Sequence, residues 1–182
     1  MERKDNQRVL LTKRLLKEGL LRLLSEKDLA QINVSELCRE AGINRATFYN
    51  HYAIPQDVLR ELEQDMARDL RNLAPKIQTV ETARKYTEDI CVYLYDRRDL
   101  IRILLNCKTD EDLLEIISET NCRFWSQFGQ RQEHGLDESG AKLMVTFFSS
   151  GAYYLIRQWL LEDVQKTPQE VAELVFRFVT RM

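Results

Sequence analysis

Between Asn33 and Tyr52 the chain reads NVSELCREAGINRATFYNHY, and this stretch restricts the fold more than any other. Asn33 followed by Glu36 is a capping-box spacing, which starts a helix by answering its first backbone N–H groups. Leu37, Cys38 and Ala41 then recur at helical spacing as one apolar face. Gly42 ends the helix where a left-handed residue is needed, and Asn44 can cap a second helix at once. On that second helix Ile43, Phe48 and Tyr52 share the inward side, so Arg45, Ala46, Thr47, Tyr49 and Asn50 face outward. Two short helices with a tight turn between them, the second polar and aromatic outside, form a unit suited to the major groove of DNA.

The remainder is helical by pattern. Leu16, Leu20, Leu23 and Leu24 make an amphipathic stripe over 13–24, and Pro55 suits the first turn of a helix through Val58, Leu62, Met66 and Leu70. Further helices are predicted over 79–96, 99–106, 113–128 and 138–163, with 129–135 as a polar loop. Thr167-Pro168-Gln169-Glu170 combines a cap, a first-turn proline and a third-position glutamate, and opens a last helix presenting Val171, Leu174, Val175, Phe178 and Val179. With only six Gly and three Pro in 182 residues, the expected class is all-α. Its expected form is an N-terminal three-helix helix-turn-helix domain followed by a larger helical domain.

Charge divides along the chain. Residues 1–55 hold ten Lys/Arg against seven Asp/Glu, while residues 56–182 hold seventeen against twenty-two. A mildly basic head on an acidic body fits a DNA contact at one end. The N-terminus lacks the apolar core of a signal peptide, and the longest uncharged stretch, Leu143 to Ile156, has 14 residues, so a cytoplasmic protein with no membrane span is expected. The four cysteines form no CxxC pair, which points to free thiols rather than disulfides. His51 and His134 are the only histidines, and no GxSxG, P-loop, GxGxxG or HExxH pattern occurs. Neither an enzyme, a metal site nor a cofactor is expected.

The outward residues have chemistry for DNA. Arg45 suits bidentate contact with guanine, and Asn50 suits adenine or a phosphate. Thr47, Tyr49 and His51 can donate to phosphates, and the helix starts at Asn33 and Asn44 offer backbone N–H groups to phosphate oxygens. INVSELCREAGINRATFYNHY resembles the DNA-binding motif of TetR/AcrR-type transcriptional regulators, over about residues 8–65. YDRRDLIRILLN and GAYYLIRQWLLEDVQKTPQEVAELV resemble the C-terminal halves of a branch that includes regulators of dihydroxyacetone kinase genes.

The resemblance implies a DNA-binding domain over 1–54 and an effector-binding and dimerisation domain over 55–182. It implies a homodimer on a palindromic double-stranded DNA operator, with the last two long helices of each subunit paired through residues such as Leu155, Trp159, Leu174 and Phe178. Repression relieved by an effector, a small molecule or a partner protein, is the default. Candidate pocket residues are Tyr86, Tyr93, Phe124, Trp125, Phe128 and Phe147, each of which also suits simple core packing. A redox-sensing variant would use Cys91, Cys107 and Cys122. The sequence departs from the family at Pro55, which stands where these regulators usually carry a phosphate-touching lysine.

Overall fold

A computed structural model describes residues 2–73, 79–106, 137–162 and 164–180. Every regular element among them is helical: α1 (Glu2–Leu24), a 3-10 turn (Leu29–Gln31), α2 (Val34–Ala41), α3 (Arg45–Tyr49), α4 (Pro55–Leu73), α5 (Val80–Asp96), α6 (Arg98–Asn106), α7 (Glu138–Leu161) and α8 (Pro168–Thr180). The expected helix over 113–128 and the loop over 129–135 lie outside the described residues, as do Cys107, Cys122, Phe124, Trp125, Phe128 and His134. The chain divides into two compact units, Met1–Met66 and Ala67–Met182, and the division falls within α4.

In the first unit the predicted stripe becomes the core. Leu16, Leu20 and Leu23 of α1 are buried, as are Leu37, Cys38 and Ala41 of α2, Phe48 of α3, and Tyr52, Val58, Leu59 and Leu62. Burying a leucine or phenylalanine side chain contributes about 1.5–3 kcal/mol each, so this cluster sets the relative placement of the short helices, which could not hold themselves. Gly19 lets α1 and α2 cross closely. A Cβ there would stand 3.2 Å from both the Cβ and the backbone N of Ala41. Gly42 closes α2 in the left-handed conformation, φ 67°, with Ile43 N donating to Cys38 O at 2.9 Å.

The caps form largely as the sequence predicts. The Asn33 side chain accepts from Glu36 N at 3.0 Å, and that of Asn44 accepts from Thr47 N at 2.7 Å. The return half of the Asn33–Glu36 box does not form. Glu36 instead takes the Lys27 ammonium at 2.5 Å, because a charge-assisted bond to a neighbouring cation outcompetes a bond to a neutral amide. At α8 the box is complete: Glu170 N donates to Thr167 Oγ1 at 3.2 Å, and Thr167 N donates to Glu170 Oε2 at 2.8 Å.

In the second unit α5 packs along α8, and α7 packs on α8 and α6. Tyr86, Ile90, Leu94, Ile101, Leu104, Ile156, Leu160, Val171 and Phe176 are buried there. Arg84 joins α5 to α8 by pairing with Glu173 and lying 4.4 Å from the Phe176 ring centroid. Of the residues expected on the inner face of the last helix, Val171 is buried, Leu174 and Val175 are half-buried, and Phe178 is exposed. Ala172 and Phe176 complete the inner face.

Candidate nucleic-acid interface

The helix-turn-helix is assembled from its buried side outward. Phe48 packs against Tyr52 with ring centroids 5.8 Å apart, and Tyr52 Oη donates to Glu61 Oε2 of α4 at 3.0 Å. The same Glu61 carboxylate accepts from Lys13 Nζ at 2.8 Å and Lys17 Nζ at 2.9 Å, both on α1, and Lys17 also reaches Asp65 at 2.5 Å. One half-buried carboxylate thus ties α1, the end of α3 and α4 together. Burial opposes its charge, but the bonds from Lys13, Lys17 and Tyr52 outweigh burial and hold Glu61 down at about 2. Burial likewise opposes the Lys17 charge, and the Asp65 and Glu61 bonds outweigh it, so the Lys17 pKa rises. The Tyr52 phenol is pushed well above its usual range, first by burial and then by Glu61.

With Phe48 locked inward, α3 turns Arg45, Ala46 and Tyr49 to the exposed side, together with Asn50 just beyond its end. Thr47 and His51 are half-buried at the edges, with the His51 ring 6.4 Å from Tyr52. Asn33 and Asn44 are exposed but use their side-chain oxygens as caps, so what they offer a phosphate is the helix starts they stabilise. The residues that the sequence reading assigns to DNA therefore lie on α3, just beyond its end, and at the starts of α2 and α3.

Charge pairing separates the cations of this unit. Lys13, Arg14, Lys17, Arg22, Lys27, Arg39 and Arg60 each have a carboxylate within 4 Å. For Arg45 the described residues supply none, and its guanidinium donates to the hydroxyl of Ser35 on α2. A cation facing only a hydroxyl keeps its field for an incoming phosphate or base edge. Ser35 is the residue the motif alone does not single out. Its place one position into α2 was readable, but that it meets Arg45 depends on how the two helices cross. At the departure from the family pattern, Pro55 is the buried first residue of α4 and provides no cation. Arg60, further along α4, is held by Asp57 at 3.0 Å.

The second unit holds the other sequence candidates. Tyr86 is buried in the core. Tyr93 is half-buried, donates to Asp69 Oδ2 at 3.0 Å, and carries the Arg97 guanidinium 4.0 Å from its ring centroid. Phe147 is not beside them. It is 67% exposed and lines a shallow apolar groove of about 220 Å³ with Gly151, Leu155, Val175 and Phe178. Leu143, Tyr154 and Phe178 are comparably exposed, so the outer sides of α7 and α8 carry a large apolar face. Trp159, grouped with Leu155 and Phe178 from the sequence, points instead into the unit's own core, stacked on Tyr95 at 5.3 Å. Leu174 is half-buried.

Cys38 and Cys91 are buried, and burial pushes both thiols up, Cys91 to about 12. That suppresses the thiolate a redox response needs. No group of three His, Cys, Asp or Glu that could hold a metal occurs among the described residues, and no helix among them is long and apolar enough to cross a membrane.

Residues 81–181 match the family model TetR_C_8, a transcriptional regulator C-terminal region. Over 64 residues, 35% of this chain and 17% of the relative, the sequence is 39% identical to the uncharacterized HTH-type transcriptional regulator YxbF of Bacillus subtilis (strain 168). The chain thus spans a small part of that relative's length. Among solved structures, the fold is similar to a TetR transcriptional regulator from Streptococcus agalactiae 2603V, with TM-score 0.73, 21% identity, and 98% and 99% of the two chains covered. It is also similar to the dihydroxyacetone kinase operon activator DhaS, with TM-score 0.71, 11% identity, and 94% and 96% covered. At those identities the likeness is one of fold.

Proposed function

The chain belongs to the TetR family of transcriptional regulators, and from that premise we propose that it binds a near-palindromic DNA operator as a homodimer and represses until an effector releases it. The carrying observation is Arg45. It stands on the exposed side of α3 with no carboxylate beside it among the described residues, while the inward side of that helix is pinned by Phe48, Tyr52 and Glu61. In this reading Arg45 and Asn50 meet base edges, and Thr47, Tyr49, His51 and the starts of α2 and α3 meet phosphates. Ala46 packs against the groove.

The exposed face of Leu143, Phe147 and Phe178, with half-buried Leu155 in the groove beside them, supports a second copy as partner, since a face so apolar is costly to leave in water. A two-fold pair would set its two α3 helices one DNA turn apart, about 34–36 Å. An effector, a small molecule or a partner protein, bound in the second unit would displace α4 and change that separation. The domain roles follow the same reading, with DNA contact over 1–54 and effector binding and dimerisation over 55–182.

The test is fluorescence anisotropy of the purified protein on its own upstream intergenic DNA and on random DNA, at two salt concentrations. Tight, selective and salt-weakened binding is expected. Equal binding to both DNAs would end the operator reading.

A further inference from the structure

Two side chains from different helices meet on the outward side of the helix-turn-helix, and one of them has no part in the operator reading. Arg45 is the first residue of α3 and Ser35 the second of α2, and Arg45 Nη2 donates to the Ser35 hydroxyl oxygen. Both residues are exposed. A surface bond between two loosely held groups contributes little, so its weight depends on how firmly its ends are placed.

Both ends are placed firmly. Ser35 stands in the first turn of α2, which Asn33 caps by accepting from Glu36 N at 3.0 Å. Lys27 ties the same turn to the chain leaving α1 by reaching Glu36 at 2.5 Å, and Leu37 and Cys38 bury the other side of the helix. Arg45 opens α3, whose start Asn44 caps by accepting from Thr47 N at 2.7 Å and whose inner side Phe48 buries. Gly42 at φ 67° and the bond from Ile43 N to Cys38 O at 2.9 Å fix the corner between the helices. The spacing of the Ser35 and Arg45 backbones is therefore set by the core of the unit, and the side-chain bond only spans it.

The chemistry of the pair is one-sided. A hydroxyl on a short side chain accepts one N–H of the guanidinium and brings no charge of its own. The rest of the planar fork, with its whole positive charge, stays available to a base edge. A carboxylate at position 35 would grip the fork harder and cancel the charge that draws DNA. With no partner there, the long Arg45 side chain would have to be ordered at the moment of binding, which opposes association.

From this geometry we infer that Ser35 is a positioning residue of the DNA-binding surface. It holds Arg45 ready to read one base pair before DNA arrives, so part of the selectivity of α3 is written on α2. The inference rests on the operator reading and deepens it, since it names a residue that sets selectivity through another.

The test is selection from a randomised double-stranded DNA pool by wild type, Ser35→Ala, Ser35→Thr and Arg45→Ala, each shown folded by circular dichroism. The base pair whose preference Arg45→Ala removes is the one Arg45 reads. At that pair Ser35→Ala should lower the preference about two- to tenfold, the range for ordering one long side chain on binding, and Ser35→Thr should keep it. Without DNA, NMR relaxation of the Arg45 Nε–H group should show greater mobility in Ser35→Ala than in wild type or Ser35→Thr. The inference is overturned by a Ser35→Ala profile identical to wild type, by a loss spread evenly over all DNA or shared by Ser35→Thr, by an Arg45→Ala profile with no changed pair, or by unaltered Arg45 mobility. A wild type that selects no sequence removes the operator reading and this inference with it. Selection that Ser35→Ala leaves intact removes this inference alone.

Discussion

Arg45 is where the charge of α3 is left to act outward. Arg45→Ala should therefore cost about 1–3 kcal/mol of operator affinity at one base-pair position and relax selectivity there. If the loss is the same on operator and random DNA, Arg45 serves a phosphate instead. Glu61 acts on the inner side. Its folded pKa of about 2 lies below the ordinary 4.5, so its contribution to stability is complete above pH 4.5 and drains away as pH falls towards 2. The contribution is at most about 3.5 kcal/mol, at about 1.4 kcal/mol per pKa unit. Lys17, raised above 10.5, contributes below that pH and is lost as pH climbs past its folded value. Acid titration followed by circular dichroism should show a transition in the lower window that flattens in Glu61→Gln; an unchanged slope would remove Glu61 from the account.

At the level of elements, the short helices α2 and α3 exist because caps and a glycine set their ends. Asn33, Gly42 and Asn44 were all legible, since capping is local chemistry within three or four residues. Gly42→Ala meets no neighbour within 4 Å, yet it places a Cβ in the left-handed region. It should lower stability by about 1–2 kcal/mol in chemical denaturation, and a neutral result would mean the turn has relaxed. Gly19 has the opposite character, an ordinary helical backbone with no room for a side chain beside Ala41. Nothing within α1 announces it, because the need arises on a helix twenty-two residues further along the chain. The missing half of the Asn33–Glu36 box has the same origin, since Lys27 reaches Glu36 only through the fold.

For the whole molecule the deciding feature is the apolar face of α7 and α8. Replacing Phe147 and Phe178 together by glutamate should yield a monomer in sedimentation velocity with unchanged helicity. Operator affinity should then fall by at least about tenfold, since each subunit would read its half-site alone. A double variant that stays dimeric would move the interface elsewhere.

The sequence by itself determined the helical class, the helix-turn-helix between Asn33 and Tyr52 and its outward residues, because each rests on periodicity and capping within a few residues; the family came separately, as a resemblance carried by its motifs. Tertiary structure alone decided which aromatic side chains of α7 turn inward and which turn out. Phe147 and Trp159 both lie on a helix apolar on more than one side, and only the arrival of Tyr95 and the segment before α8 makes one of them core. The same holds for Ser35 beside Arg45. Such contacts join positions far apart in the chain, and no local pattern encodes a distance that only packing sets.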